Sequence, residues 1–182
     1  MLTDEAIITH TKNWITDVVV GCNFCPFAAR EVKKQTIRYE VVQQANTKNS
    51  LEALADAFHI LDSDDTIETM FVILADGFAD FNKYLHLVEL AETLLAKQGY
   101  QGIYQIAGFH PQYLFAGSKP NDAANYTNRS PYAMLHLLRE ASVSRAVDGH
   151  PDIDSIPQHN IAYAEEKGVR YMKTLRDNCM KE

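Results

Sequence analysis

Basic residues are scarce in this chain: 17 Lys and Arg stand against 24 Asp and Glu in 182 residues, for a net charge of −7. A broad nucleic-acid or anionic-membrane surface needs the opposite balance, so no nucleic acid and no membrane is expected as a partner. Long apolar runs are missing as well. None approaches the roughly 18 residues that span a bilayer, and the N-terminal MLTDEAIITHTKNW, acidic near its start, does not read as a signal peptide. Cysteine is limited to Cys22, Cys25 and Cys179, an odd number that gives no disulfide framework. These absences set the expectation of a cytoplasmic protein. Walker, GxGxxG, HExxH and GxSxG motifs are absent too, so Ser50, Ser142 and Ser144 have no recognisable nucleophile setting. The acidic turn Asp62-Ser63-Asp64-Asp65 lacks the glycine and terminal glutamate of an EF-hand loop and reads as a solvated turn.

What is present is an ordinary globular composition, 46% hydrophobic and 23% charged, at a length that suits one domain over 1–182. Ile7, Ile8, Trp14, Ile15 and Val18 recur at helical intervals over about 4–20, with Thr3 or Asp4 as cap and Gly21 as stop. Ile37, Tyr39 and Val41 alternate with Arg38 and Glu40, as in a half-exposed strand. Asn49 or Ser50 opens a helix to about Leu61, and Thr69–Leu74 is a continuous apolar run suited to a central strand. A long amphipathic helix spans Phe78–Lys97 before Gly99, and Gly102–Ala107 is a third strand. Ser130-Pro131 is a helix start, with Ser as N-cap and Pro at the first helical position, and predicts a helix to about Val147. Pro151 and Pro157 bracket a short connection. A final helical region, 160–182, reads as a peripheral C-terminal helix broken near Gly168. The fold class is α/β or α+β: a layered domain with a small sheet of about three to five strands and flanking helices.

Between the third strand and the helix at Pro131 lies a connection of about twenty residues, long for a compact domain. It carries Phe109, Tyr113, Phe115, Tyr126 and Tyr132, unlike a disordered segment, together with His110, Asp122, Asn125, Asn128, Arg129 and Ser130. An ordered loop dense in hydrogen-bonding groups is a natural binding site. His110 follows a strand end, where open α/β sheets bind ligands, and titrates near neutrality. Arg129, with Asn128 and Ser130, precedes a helix N-terminus that would favour an anion. On that helix His136 and Arg139 share a face. Each also has a structural reading, as a carbonyl-bonded loop His, a capping Ser, a core His136 and an ion-paired Arg139. Cys22-Asn23-Phe24-Cys25 allows three readings: buried structural thiols, a nucleophilic or redox Cys25, or a pair of metal ligands.

Several segments resemble a known family. Gly21-Cys22-Asn23-Phe24-Cys25-Pro26-Phe27-Ala28 is similar to its GxNxCPFA signature, and Ile37-Arg38-Tyr39, Glu68-Thr69, Asp80-Phe81 and Gln105-Ile106-Ala107 also match. So do Phe109-His110-Pro111, Phe115-Ala116-Gly117, the run from Thr127 to Tyr132, that from Met134 to Glu140, Ile156-Pro157 and Asn160-Ile161. This resembles the DUF1415 family of proteins of unknown function. The resemblance carries Cys25 alone of the three cysteines into the signature and brings no catalytic residues with it.

The residues therefore set the expectation of an enzyme, a hydrolase or group transferase, acting on a small anionic metabolite. Cys25 would be the nucleophile, and His110 and His136 the proton-handling groups. Tyr113, Asn125, Asn128, Arg129, Ser130 and Arg139 would bind the substrate. The rivals are a non-catalytic anion-binding or regulatory module and a Cys/His metal-binding protein. Nothing in the sequence names a cofactor, and no metal site is assigned.

Overall fold

The structure, a computed structural model, describes residues 2–149 and 153–181. Helix α1 (Asp4–Trp14) starts where the Thr3 hydroxyl accepts from the Ala6 N–H, and continues into a π-helical stretch, Ile15–Val20. Gly21 is not the left-handed stop its position suggests. Its φ is −61°, and a Cβ there would lie 2.3 Å from the Asp17 carbonyl oxygen, so the wide turn itself demands glycine. A short helix α2 (Ala28–Lys34), which the sequence pattern does not announce, leads to strand β1 (Ile37–Val42). Helix α3 (Thr47–Ser63) is capped by Asn46 rather than by Asn49 or Ser50. Asn46 Oδ1 accepts from the N–H groups of Lys48 and Asn49, while Asn49 Oδ1 accepts from the Asn46 N–H. Strand β2 (Thr69–Leu74), helix α4 (Phe81–Lys97), opened by Asp80, and strand β3 (Tyr104–Phe109) follow as expected.

The main departure comes after the long loop. Where Ser130-Pro131 predicts a helix, residues Ala133–Arg139 form strand β4, and helix α5 (Glu140–Asp148) begins only beyond it. Ser130 is fully buried, and its hydroxyl donates to the Tyr132 carbonyl instead of capping a helix. The sheet order is β1-β2-β4-β3. β1 and β2 are parallel, and β4 is antiparallel to both β2 and β3. A strand paired on both edges and covered on both faces shows almost no polar alternation, and Met134-Leu135-His136-Leu137-Leu138 is such a run. The mixed sheet decides the fold class as α+β, with four strands.

Strand alternation divides the side chains between two cores. Met70, Val72, Leu74, Leu135, Leu137 and Tyr104 pack with Leu54, Phe58 and Leu61 of α3 and Tyr84 and Leu87 of α4. Phe71, Ile73 and Met134 pack on the other face with Ile7, Trp14, Ile15 and Val18. Each fully buried Leu or Phe contributes about 1.5–3 kcal/mol relative to an exposed one, so both layers are held by burial of the same kind. Helix α6 (Ile156–Asn178) is interrupted at Gly168 (φ 78°) and adds Ala164 and Met172 to the second core. Pro151 lies outside the described residues.

Candidate functional site

A cavity of about 620 Å³ lies on the second face of the sheet, within the range of about 300–1,000 Å³ typical of small-molecule sites. Its floor is formed by Phe71, Ala107, Phe109, His136 and Leu138, which alternation turns to that side. Its walls come from Trp14, Ile15 and Val19 of the first helical segment, from Cys25–Ala28 and α2, and from Ser142, Val143, Arg145 and Ala146 of α5. The lining is mostly apolar, interrupted by Glu68, Thr69, Gln105, His136 and Arg139, by Arg30 and Glu31 of α2 and by Ser142 and Arg145 of α5.

His136 has the most defined geometry. Its ring stacks on Phe71, with centroids 3.9 Å apart and planes 5° from parallel. Its Nε2 lies 2.6 Å from Thr69 Oγ1, and that hydroxyl lies 2.5 Å from the Leu137 carbonyl oxygen. A carbonyl only accepts, so the hydroxyl gives it its single proton and accepts from the imidazole. His136 is thereby fixed as the Nε2–H tautomer with a lone pair on Nδ1, an atom with no hydrogen bond to any described residue. Burial pushes its pKa down to about 3. The imidazole is neutral at physiological pH.

Arg139, three residues on, faces the opposite way along the strand. Its Nε and Nη2 donate to the Ile67 carbonyl at 3.3 and 3.0 Å, and Nη2 also reaches the carbonyls of Leu61 (2.7 Å) and Asp64 (3.3 Å). The guanidinium closes the C-terminal end of α3, and as the last residue of β4 it borders the cavity as well. Carbonyl partners leave its positive charge in place, and among the described residues no carboxylate forms an ion pair with it. Glu31 and Arg30 pair at 3.4 Å on the α2 side, and Thr36 donates to Glu31 Oε2 at 2.6 Å. One carboxylate oxygen of Glu68 and the indole nitrogen of Trp14 are buried without a hydrogen-bond partner among the described residues.

Of the sequence-predicted residues, the cavity brings together Cys25, His136 and Arg139. It does not include His110, Tyr113, Asn125, Asn128, Arg129 or Ser130. His110 is fully buried on the α4 side of the sheet. Its Nε2–H donates to the Phe78 carbonyl at 2.7 Å and its Nδ1 accepts from the Gln112 N–H at 2.9 Å. Burial holds it below the ordinary imidazole value, against the opposing pull of the Phe78 carbonyl. Asn125, fully buried, organises the loop: Oδ1 accepts from the Phe115 N–H and the Ser118 hydroxyl, and Nδ2 donates to the Lys119 carbonyl. Arg129 donates to the carbonyls of Tyr113 and Pro120, both at 3.0 Å, and lies over the Tyr126 ring. Tyr113 packs against Phe81 and Phe115, and the Asn128 carbonyl accepts from the His110 N–H. With β4 in place of the expected helix, Arg129 and Ser130 have no helix N-terminus beside them. The polar groups that made this loop conspicuous are largely spent in holding it.

The polar cavity residues to which the sequence assigns no site role include Arg30, Glu31, Glu68, Gln105 and Arg145, and Trp14 is legible there only as an apolar helix position. Glu68-Thr69, Gln105-Ile106-Ala107 and Cys25-Pro26-Phe27-Ala28 had been noted only as segments of the family resemblance, and their meeting in one cavity is visible only in the fold. Among the described residues, no group of three or more His, Cys, Asp and Glu side chains is placed to hold a metal, and no helix is long and apolar enough to cross a membrane.

Fold and cavity together define an α+β protein with a ligand-sized chamber between its mixed sheet and its N-terminal helical layer. A family model described as "Protein of unknown function (DUF1415)" matches residues 6–174, and the chain belongs to that family. No curated protein and no solved structure matches it.

Proposed function

We propose that this chain is a small-molecule enzyme, a hydrolase or group transferase, that takes an anionic metabolite into the sheet-face cavity. The observation that carries this reading is that Cys25, from the turn before α2, and His136 and Arg139, both from β4, line one chamber of ligand size. Arg139, with Arg145 on the α5 wall, supplies the positive charge for the anion, Arg30 being paired with Glu31. Cys25 is the nucleophile, and the His136 Nδ1 lone pair receives the thiol proton. An imidazole held near 3 is a poor base in the empty cavity, but an anion bound beside it stabilises the imidazolium. Activation of the thiol is thereby tied to substrate binding. A cytoplasmic setting, suited to three free thiols, belongs to the same proposal.

One observation favours the rival, a non-catalytic anion-binding module: among the described residues no hydrogen bond joins the Cys25 thiol to His136. Iodoacetamide labelling of the native protein across pH, read by peptide mass spectrometry, separates the two. Cys25 is expected to react while buried Cys22 and Cys179 do not, their thiols being pushed up by burial, Cys179 to about 11. Anionic metabolites should change the rate of Cys25 labelling and the fluorescence of Trp14, the single tryptophan and a cavity wall. A Cys25 that stays unmodified in the folded chain but labels in urea rules out the nucleophile. Retained Trp14 response in that case leaves the binding module.

A further inference from the structure

Three rings form a row across the sheet face that floors the cavity. Tyr39 on β1, Phe71 on β2 and His136 on β4 share one register line, Tyr39 opposite Phe71 and Phe71 opposite His136. Their planes are nearly parallel. Tyr39 and Phe71 are 6.0 Å and 10° apart, and Phe71 and His136 are 3.9 Å and 5° apart. The next strand in the sheet is β3, and its residue on this line is Ala107. The face of His136 turned away from Phe71 is therefore turned toward an alanine, whose methyl is too small to cover an imidazole. Gln105 and Phe109, the neighbours of Ala107 on the same face of β3, belong to the adjoining lines, opposite Leu138 and Met134. Phe109 lies 6.2 Å from the His136 ring and 6.4 Å from that of Phe71. Such similar distances place it beside the stacked pair, not across the outer face of His136. His136 and Ala107 both keep accessible surface and line the chamber, whereas Phe71 is buried.

We infer that the body of the ligand is a flat conjugated ring, which stacks on the outer face of His136, over β3 at Ala107, as the fourth ring of the row. This rests on the reading of the cavity as an anion site and names its substrate class: an aryl or heteroaryl anion, not an acyl chain or a sugar. Neighbouring strands lie about 4.8 Å apart, so a ring one stacking distance beyond His136 falls over β3. Parallel rings attract one another beyond what their buried area supplies, an attraction that a saturated ring or chain lacks. The anionic group points along β4 toward Arg139, the last residue of the strand, and toward Arg145 on α5. Three residues of strand, His136 to Arg139, span about 10 Å, so a linker of a few atoms joins ring to anion, as in an arylalkyl carboxylate.

Titration of the full chain with 3-phenylpropionate and 3-cyclohexylpropionate tests this, because the two share linker and carboxylate and differ in the flatness of the ring. Calorimetry is expected to find the phenyl ligand bound about three- to tenfold more tightly. In NMR spectra of histidine-labelled protein, the phenyl ligand should move the His136 ring-proton resonance upfield, as a ring stacked on its face requires, and the cyclohexyl ligand should not. In Ala107→Leu the larger side chain takes the place beside His136, and both the preference and the upfield shift should vanish. Equal affinities in the wild type, an unmoved His136 resonance, or a preference that survives in a folded Ala107→Leu variant overturns the inference and leaves the anion site standing. No binding of either ligand at millimolar concentration overturns the anion-site reading and this inference with it. Should Ala107→Leu fail to fold, the wild-type comparison alone decides.

Discussion

Replacing His136 by Phe should make the protein less sensitive to acid. In the native chain the imidazole stays neutral down to about pH 3, while in the unfolded chain it titrates near 6.5. Between those values the unfolded state binds the additional proton, so the contribution of His136 is complete above pH 6.5 and is lost as pH falls toward 3. By pH 4 the loss covers some two and a half pH units at about 1.4 kcal/mol each, or about 3 kcal/mol. Phenylalanine fills nearly the same space and retains the stack on Phe71, and the Thr69 hydroxyl still has the Leu137 carbonyl as its acceptor. Urea unfolding of both proteins at pH 7 and pH 4 isolates the effect, because titration of Asp62, Asp64, Asp177 and His110 cancels in the difference. The wild type should lose about 3 kcal/mol more than His136→Phe between the two pH values. Equal losses would show that the ring protonates freely in the folded chain, and the account of a buried, Thr69-anchored tautomer would fail.

Other substitutions probe the supports of the site. Arg139→Met strips the donor shared by the carbonyls of Leu61, Asp64 and Ile67 and should lower stability by about 2–4 kcal/mol, seen as a lower urea midpoint at unchanged slope. Asn125→Ala removes three hydrogen bonds from a fully buried position; a loss of about 2–3 kcal/mol is expected, with new protease cleavage within 110–132. At Gly108 an added Cβ would sit 2.6 Å from the Tyr84 hydroxyl, which donates to the Met134 carbonyl at 2.7 Å. Gly108→Ala should therefore cost about 1–3 kcal/mol, and adding Tyr84→Phe should return part of it in a double-mutant cycle.

Much of this architecture was legible before the fold. β1 announces itself by alternation, β2 by an unbroken apolar run, α1 by its capping residue and amphipathic spacing, and α4 by its amphipathic spacing and the glycine that follows it. β4 was misread for a physical reason. Ser130-Pro131 imitates a helix start, Leu, Met, Arg and Glu are good helix formers, and a strand buried on both faces lacks the period that separates strand from helix. α2 went unseen because its seven residues include no buried position and so leave no apolar stripe. The site was harder still. The sequence groups Cys25, His110, Arg129, His136 and Arg139, with His136 and Arg139 on an expected helix; the fold carries those two on β4, lines one cavity with them and Cys25, and leaves His110 and Arg129 outside it. Glu68 precedes β2 and Gln105 is the second residue of β3, positions that are ordinary in sequence, and only the sheet register sets Gln105 opposite Leu138.

The placement of β4 between β2 and β3 also governs the order in which the chain can be assembled on the ribosome. β1, α3 and β2 form a contiguous unit that can pair as soon as residue 74 has emerged. β3 pairs only with β4, whose first residue follows the end of β3 by more than twenty positions. Until Arg139 is synthesised, β3 has no strand to join and β2 presents an open apolar edge. A chain stopped within the long loop would therefore expose two unpaired strand edges at once, the form most prone to intermolecular pairing.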